Sequence, residues 1–129
     1  MDAYTTHGAF SWNELMTTDA PAAQRFYGAL LGWTFDTSEM GQGPYHLIKI
    51  GETSIGGIMG PLPDAPPQPP AWGPYITVSD IAQTVASCQA LGGRLCAGPF
   101  DVPGVGRMAV LQDPQGAVFN AISYQAAGS

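Results

Sequence analysis

Across residues 10–18 apolar and polar side chains alternate, FSWNELMTT. A pleated strand would place Phe10, Trp12, Glu14 and Met16 on one face and Ser11, Asn13, Leu15 and Thr17 on the other. The period then lengthens. After Asp19, the residues Ala23, Phe26, Tyr27, Leu30 and Leu31 recur at helical spacing and predict one apolar stripe. Asp19 suits the N-cap, where its carboxylate accepts from the free amides of the first turn. Pro21 is tolerated there because no N–H is needed, and Gly32 supplies a residue that ends the helix. Alternation returns over 33–37, 45–50 and 53–59, with Gly51-Glu52 turning the third strand into the fourth. Gly56-Gly57 inside that fourth strand predicts a bulge or a close backbone approach.

The same plan repeats about sixty residues later. A strand over 74–79 runs into Ser79-Asp80, and a helix with the stripe Ile81, Val85, Cys88 and Leu91 ends at Gly92-Gly93. A strand over 94–97, a loop over 99–106 and a strand over 107–112 follow. The turn Asp113-Pro114-Gln115-Gly116 then leads into a last strand over 117–124. The arm before Phe10 and the tail after Tyr124 carry no strong pattern. Between the copies lies PLPDAPPQPP, a stiff, extended linker over 61–70. The expectation is an α+β chain of two βαβββ modules, 10–60 and 71–125, in a single domain of 129 residues.

Charge narrows the partners. The net charge is −6, and Arg25, Lys49, Arg94 and Arg107 are the only Lys or Arg. No basic cluster is available for a phosphate backbone or an anionic bilayer, so nucleic acid and membrane are excluded as partners. No apolar run reaches the length of a membrane span, and the first residues have no signal-peptide pattern. A cytoplasmic protein is expected, with Cys88 and Cys96 as free thiols at core positions. Charged residues are only 11% of the chain, which fits a surface partly covered in a homodimer.

Two stretches carry a family resemblance: AQRFYGALLGW after Asp19, and AVLQDPQGAVFNAI with its D-P-x-G hairpin. Together they resemble the vicinal oxygen chelate superfamily, which groups glyoxalase I, bleomycin-resistance proteins, fosfomycin-resistance enzymes and extradiol dioxygenases. The resemblance spans nearly the whole chain. It implies two βαβββ modules forming a mixed, curled eight-stranded sheet around a central cavity for a small molecule. In metal-dependent members, His or Glu on the first and last strands of each module hold a divalent ion that stabilises an enolate or alkoxide. Carried over, the first-strand positions fall on Trp12 and Gly73, the end of the second module on Asn120, and the first-module counterpart around 57–59. Trp and Gly offer no metal-binding side chain and Asn is a weak ligand, so no metal and no other cofactor is expected.

Other residues could carry chemistry instead. Glu14 shares a strand face with Trp12 and could serve as a general base. Arg107 could clamp an anionic oxygen, and His46 could move protons near neutrality. Each has a structural alternative, as a paired or hydrogen-bonded residue. Trp12, Met59, Trp72, Tyr75, Phe100 and Asn120 would line an apolar pocket with a few polar groups, suited to a flat or aromatic ligand. Two function classes follow. One is a metal-independent small-molecule binder of the glyoxalase/bleomycin-resistance type. The other is an enzyme, either a lyase, isomerase or hydroxylase-like protein with Glu14 as base, or a metal-dependent glyoxalase or dioxygenase.

Overall fold

The computed structural model describes residues 1–39, 44–61, 69–102 and 104–125. Most of the linker and the last four residues lie outside that set. Eight strands and two helices occur among the described residues, in the order β1 (Phe10–Met16), α1 (Ala20–Leu31), β2 (Thr34–Glu39), β3 (Pro44–Ile50), β4 (Thr53–Met59), β5 (Ala71–Thr77), α2 (Ile81–Ala90), β6 (Arg94–Val102), β7 (Gly106–Gln112) and β8 (Val118–Tyr124). The α+β class and the repeated βαβββ plan are therefore present. The chain forms two compact units, Trp12–Gly73 and Met1–Ser11 with Pro74–Ser129.

The first unit is a four-stranded ladder in the order β2-β3-β4-β1, with β1 parallel to β4 and the other pairs antiparallel. Helix α1 starts at Asp19, whose carboxylate accepts from the Ala22 amide at 3.0 Å, and stops at Gly32 in the left-handed region. The helix covers one face of the ladder, where Leu15, Ala20, Ile48 and Ile58 are buried with Ala23, Tyr27, Trp33, Phe35 and Ile55 against them. The apolar stripe read from the sequence is too wide. Phe26, Leu30 and Leu31 are more than half exposed, because the ladder reaches only the Ala20–Ala23–Tyr27 side of the helix. The expected irregularity in β4 is a register shift: Ile48 pairs with Gly56 but Lys49 with Ser54, leaving Ile55 as the extra residue.

The second unit repeats this ladder in the order β5-β8-β7-β6, again with one parallel pair, β5 with β8. Asp80 caps α2 by accepting from the Gln83 amide at 3.1 Å. Val78, Ile81, Ala109, Leu111 and Ala121 form the core, with Val85, Cys88, Leu95 and Phe119 packed on it. Leu91, expected in that core, sits at the helix end and is 79% exposed. Cys96, also expected inside, is the extra residue of a register shift between Leu95 and Ala97 and is exposed. The predicted loop over 99–106 is shorter than expected. Strand β6 continues to Val102 through a cis Gly98-Pro99 bond and a second register shift.

The arm before β1 has structure too. Gly8 donates to the Thr77 carbonyl at 2.7 Å, and Thr77 donates back to Ala9 at 2.8 Å. The Thr77 hydroxyl bonds the Ala3 carbonyl, and His7 Nδ1 accepts from the Ser79 amide just ahead of α2. No helix among the described residues is long and apolar enough to cross a membrane.

Candidate functional site

In the first unit, strand alternation divides the ladder between α1 and an opposite face. Leu15, His46, Ile48 and Ile58 lie on the helix side, so Trp12, Glu14, Met16, Tyr45 and Leu47 lie on the other. In register, Glu14 pairs with Gly57 and Met16 with Met59 on β4, while Leu47 pairs with Gly57 and Tyr45 with Met59. The phenol of Tyr45 leans across β4 to β1. Its O–H donates to Glu14 Oε2 at 2.7 Å, and its oxygen accepts from Trp12 Nε1 at 3.1 Å. One hydroxyl thus links the indole to the carboxylate, with donor and acceptor roles fixed along the chain.

The phenol can cross because Gly57 has no side chain. A Cβ at Gly57 would run into the Tyr45 ring and hydroxyl. Gly56, one residue earlier, lies against the Asn13 carbonyl in the same way. The Gly-Gly pair therefore serves a close approach as well as the bulge. Trp12, Glu14, Tyr45, Leu47 and Met59 are all half-buried, and towards β2 the same face carries the Lys49–Asp36 ion pair.

The other sequence candidates are each described within their own unit. His46 is buried on the helix side of the same ladder, opposite Glu14, with Nδ1 2.7 Å from Thr37 Oγ1. Trp72 joins an aromatic cluster with Tyr27 and Trp33, and its Nε1 donates to Tyr27 Oη at 3.2 Å. In the second unit, Tyr75 pairs with Asn120 and Phe100 with Met108. Tyr75 is buried, with its hydroxyl 3.6 Å from Met108 Sδ, and Asn120 Nδ2 is 3.4 Å from the Pro74 carbonyl. Arg107 pairs in register with Asp101 and forms an ion pair with it at 3.2 Å. Both side chains are well exposed, so that pair contributes little to stability. They border a groove of about 480 Å³ that also takes in Asp80, Ser123 and Gln125.

Tyr124, on the wall of that groove, donates to or accepts from Ser11 Oγ at 2.7 Å and meets Tyr4 edge-on. Burial is the main cause that raises its phenol above the ordinary value of 10.0. The Ser11 hydrogen bond works in the opposite direction, and nearby Tyr4 adds a little to the rise.

The residues at the superfamily's metal positions do not fit a metal ion. Trp12 is committed to Tyr45, Gly73 has no side chain and Asn120 presents an amide. Among the described residues no three His, Cys, Asp or Glu side chains come together.

Sequence reasoning missed Tyr45. Its position on the Trp12 face follows from alternation, but its reach to Glu14, two strands away, depends on a glycine on the intervening strand β4.

A model of the glyoxalase-like domain matches residues 13–122. The Mycobacterium tuberculosis protein CFP32, provisionally named a glyoxylase, is 41% identical over 116 residues, covering 89% of this chain and 44% of that protein. The anthracycline biosynthesis protein DnrV of Streptomyces peucetius is 31% identical over 125 residues, covering 87% of this chain and 46% of its own. The chain thus spans somewhat less than half the length of these curated relatives. Among solved structures, methylmalonyl-CoA epimerase from M. tuberculosis aligns with a TM-score of 0.68 at 16% identity, covering 95% of this chain and 92% of that one. The Streptomyces coelicolor epimerase bound to 2-nitronate-propionyl-CoA gives 0.69 at 16% identity, covering 94% and 100%. At such identity these two show the shared fold.

Proposed function

The chain belongs to the glyoxalase-like domain family of the vicinal oxygen chelate superfamily, and from that premise we propose that it binds a flat, apolar or aromatic small molecule without a metal ion. The observation that carries this reading is the hydrogen-bonded chain from Trp12 through Tyr45 to Glu14. It stands on the ladder face opposite α1, where a metal-dependent relative would place a ligand on β1. Trp12 and Met59 supply apolar surface, while Glu14 and Tyr45 supply orientation. The donor set at the superfamily's metal positions supports metal independence, since it offers no imidazole or carboxylate.

A second reading makes Glu14 a general base. It is favoured by one observation, the Tyr45 O–H donated to Glu14 Oε2, which helps orient the carboxylate. Under it, His46 is structural, because it faces the helix and bonds Thr37. Homodimer formation belongs to the proposal as well, supported by the exposed Phe26, Leu30 and Leu31 along α1.

The test is equilibrium dialysis of 2-naphthol against protein stripped with a chelator. Micromolar binding that survives stripping and weakens at least tenfold in Trp12→Ala is expected. Binding that appears only when zinc, nickel or manganese is returned would overturn the metal-free reading.

A further inference from the structure

The Trp12 face of the first unit is charged at one edge. Asp36 on β2 and Lys49 on β3 are diagonal neighbours there, since Asp36 pairs with Leu47 and Thr34 with Lys49. Lys49 Nζ lies 3.2 Å from Asp36 Oδ2. The two side chains differ in setting: that of Asp36 is 66% exposed, that of Lys49 only 21%. The Lys49 stem is thus largely covered, and its ammonium is held at the edge of the face.

A lysine ammonium carries three hydrogen-bond donors. Among the described residues, that of Lys49 donates to Asp36 alone, and a carboxylate so open to water holds it weakly. The unit's other cation, Arg25, is on α1, which covers the opposite side of the ladder. A ligand anion on the Trp12 face would therefore be drawn to Lys49. Trp12 stands on β1 with β4 between, so the two residues are two strand spacings apart, about 10 Å. The Tyr45 ring, laid over Gly57, and Leu47 form the floor between them. A two-ring aromatic on that floor has one end at the indole and the other at the ammonium.

We propose that Lys49 binds an anionic substituent of the ligand, so that this face takes flat aromatic acids with a carboxylate or similar anionic oxygen at one end. The ammonium donates to that oxygen, a charge-assisted contact, and Asp36 positions the ammonium. Trp12 supplies the aromatic contact at the other end. Glu14, on β1, stays at the indole end, two strands from Lys49. The proposal rests on the reading that this face binds a flat ligand, and adds its charge.

Two probes of one shape test it by equilibrium dialysis at neutral pH: 2-naphthoate, which is anionic, and 2-naphthamide, which is neutral. In the native chain 2-naphthoate should bind about tenfold more tightly, the scale of a hydrogen bond between charged groups. Lys49→Met keeps most of the stem and removes the ammonium. It should weaken 2-naphthoate alone and bring the two probes within about twofold of each other. Asp36→Asn keeps an acceptor beside Lys49 and removes a competing negative charge, so 2-naphthoate should tighten by about threefold. Loss of a merely structural pair would weaken both probes instead. Equal binding of the two probes to the native chain would overturn the proposal and leave the binding reading intact. So would a preference for 2-naphthoate that survives Lys49→Met, or a 2-naphthoate affinity that falls in Asp36→Asn. Failure of both probes to bind folded protein would overturn the binding reading beneath it.

Discussion

Gly57 leaves open the space that the phenol of Tyr45 occupies on its way to Glu14. The two residues are diagonal neighbours across β3 and β4, since Tyr45 pairs with Met59 and Leu47 with Gly57. Gly57→Ala should therefore cost about 1–3 kcal/mol, the range for overpacking a fitted site. The cost should largely vanish when Tyr45→Ala removes the ring, so the double-mutant cycle in urea unfolding should be strongly non-additive. Equal costs in both backgrounds would mean that Gly57 is needed for backbone reasons alone.

Tyr45→Phe keeps the ring and deletes one hydroxyl. The Trp12 indole loses an acceptor and the Glu14 carboxylate loses a donor. A loss of about 1–2 kcal/mol is expected for polar groups that are only half-buried. Among the three tryptophan indole N–H signals in a nitrogen–proton NMR spectrum, the Trp12 signal should move most, while those of Trp33 and Trp72 should hardly change.

Tyr124 predicts an alkaline limit to stability. Burial raises its phenol in the folded chain above the 10.0 expected when unfolded. As pH passes about 10, the unfolded chain gives up this proton first and so binds fewer protons than the folded one. Stability contributed below that point is lost as pH rises towards the folded value. Ser11→Ala removes the hydrogen bond that opposes the rise, so the Tyr124 titration should move further up. Ultraviolet titration of the phenols, with urea midpoints at pH 9 and above, would check both statements.

The exposed side of α1 separates core from surface. Ile58 is fully buried, and Ile58→Ala should cost about 2–5 kcal/mol. Leu30 is 62% exposed, and Leu30→Ser should shift the unfolding of the single chain by no more than about 0.5 kcal/mol. If α1 pairs two copies of the chain, the same substitution should lower the mass seen in analytical ultracentrifugation. An unchanged mass would remove α1 from any such contact.

Local signals were legible wherever the deciding chemistry was local. Asp19 and Asp80 cap their helices as the pattern suggested, and β4 runs over the residues its alternation marked. Legibility ended where register or neighbours decide. Gly98-Pro99 looks like a loop, yet β6 continues past it by shifting register against β7. The same kind of shift turns Cys96 outward. Phe26, Leu30 and Leu31 have helical spacing, but how much of a stripe is buried depends on the width of the surface facing it. Glu14 could be singled out as a strand carboxylate beside Trp12. Its partner Tyr45 could not, because that contact spans β4 and requires Gly57 between. Alternation also places His46 opposite to Tyr45, a distinction that matters only once the face carrying Glu14 is known.

The most direct measurement is the Trp12 indole N–H signal of chelator-stripped protein during titration with 2-naphthol. The account predicts that this signal moves saturably at micromolar probe and that Glu14→Gln weakens the response. A probe that binds without moving the Trp12 signal, or moves it only after a divalent metal is restored, would contradict the account.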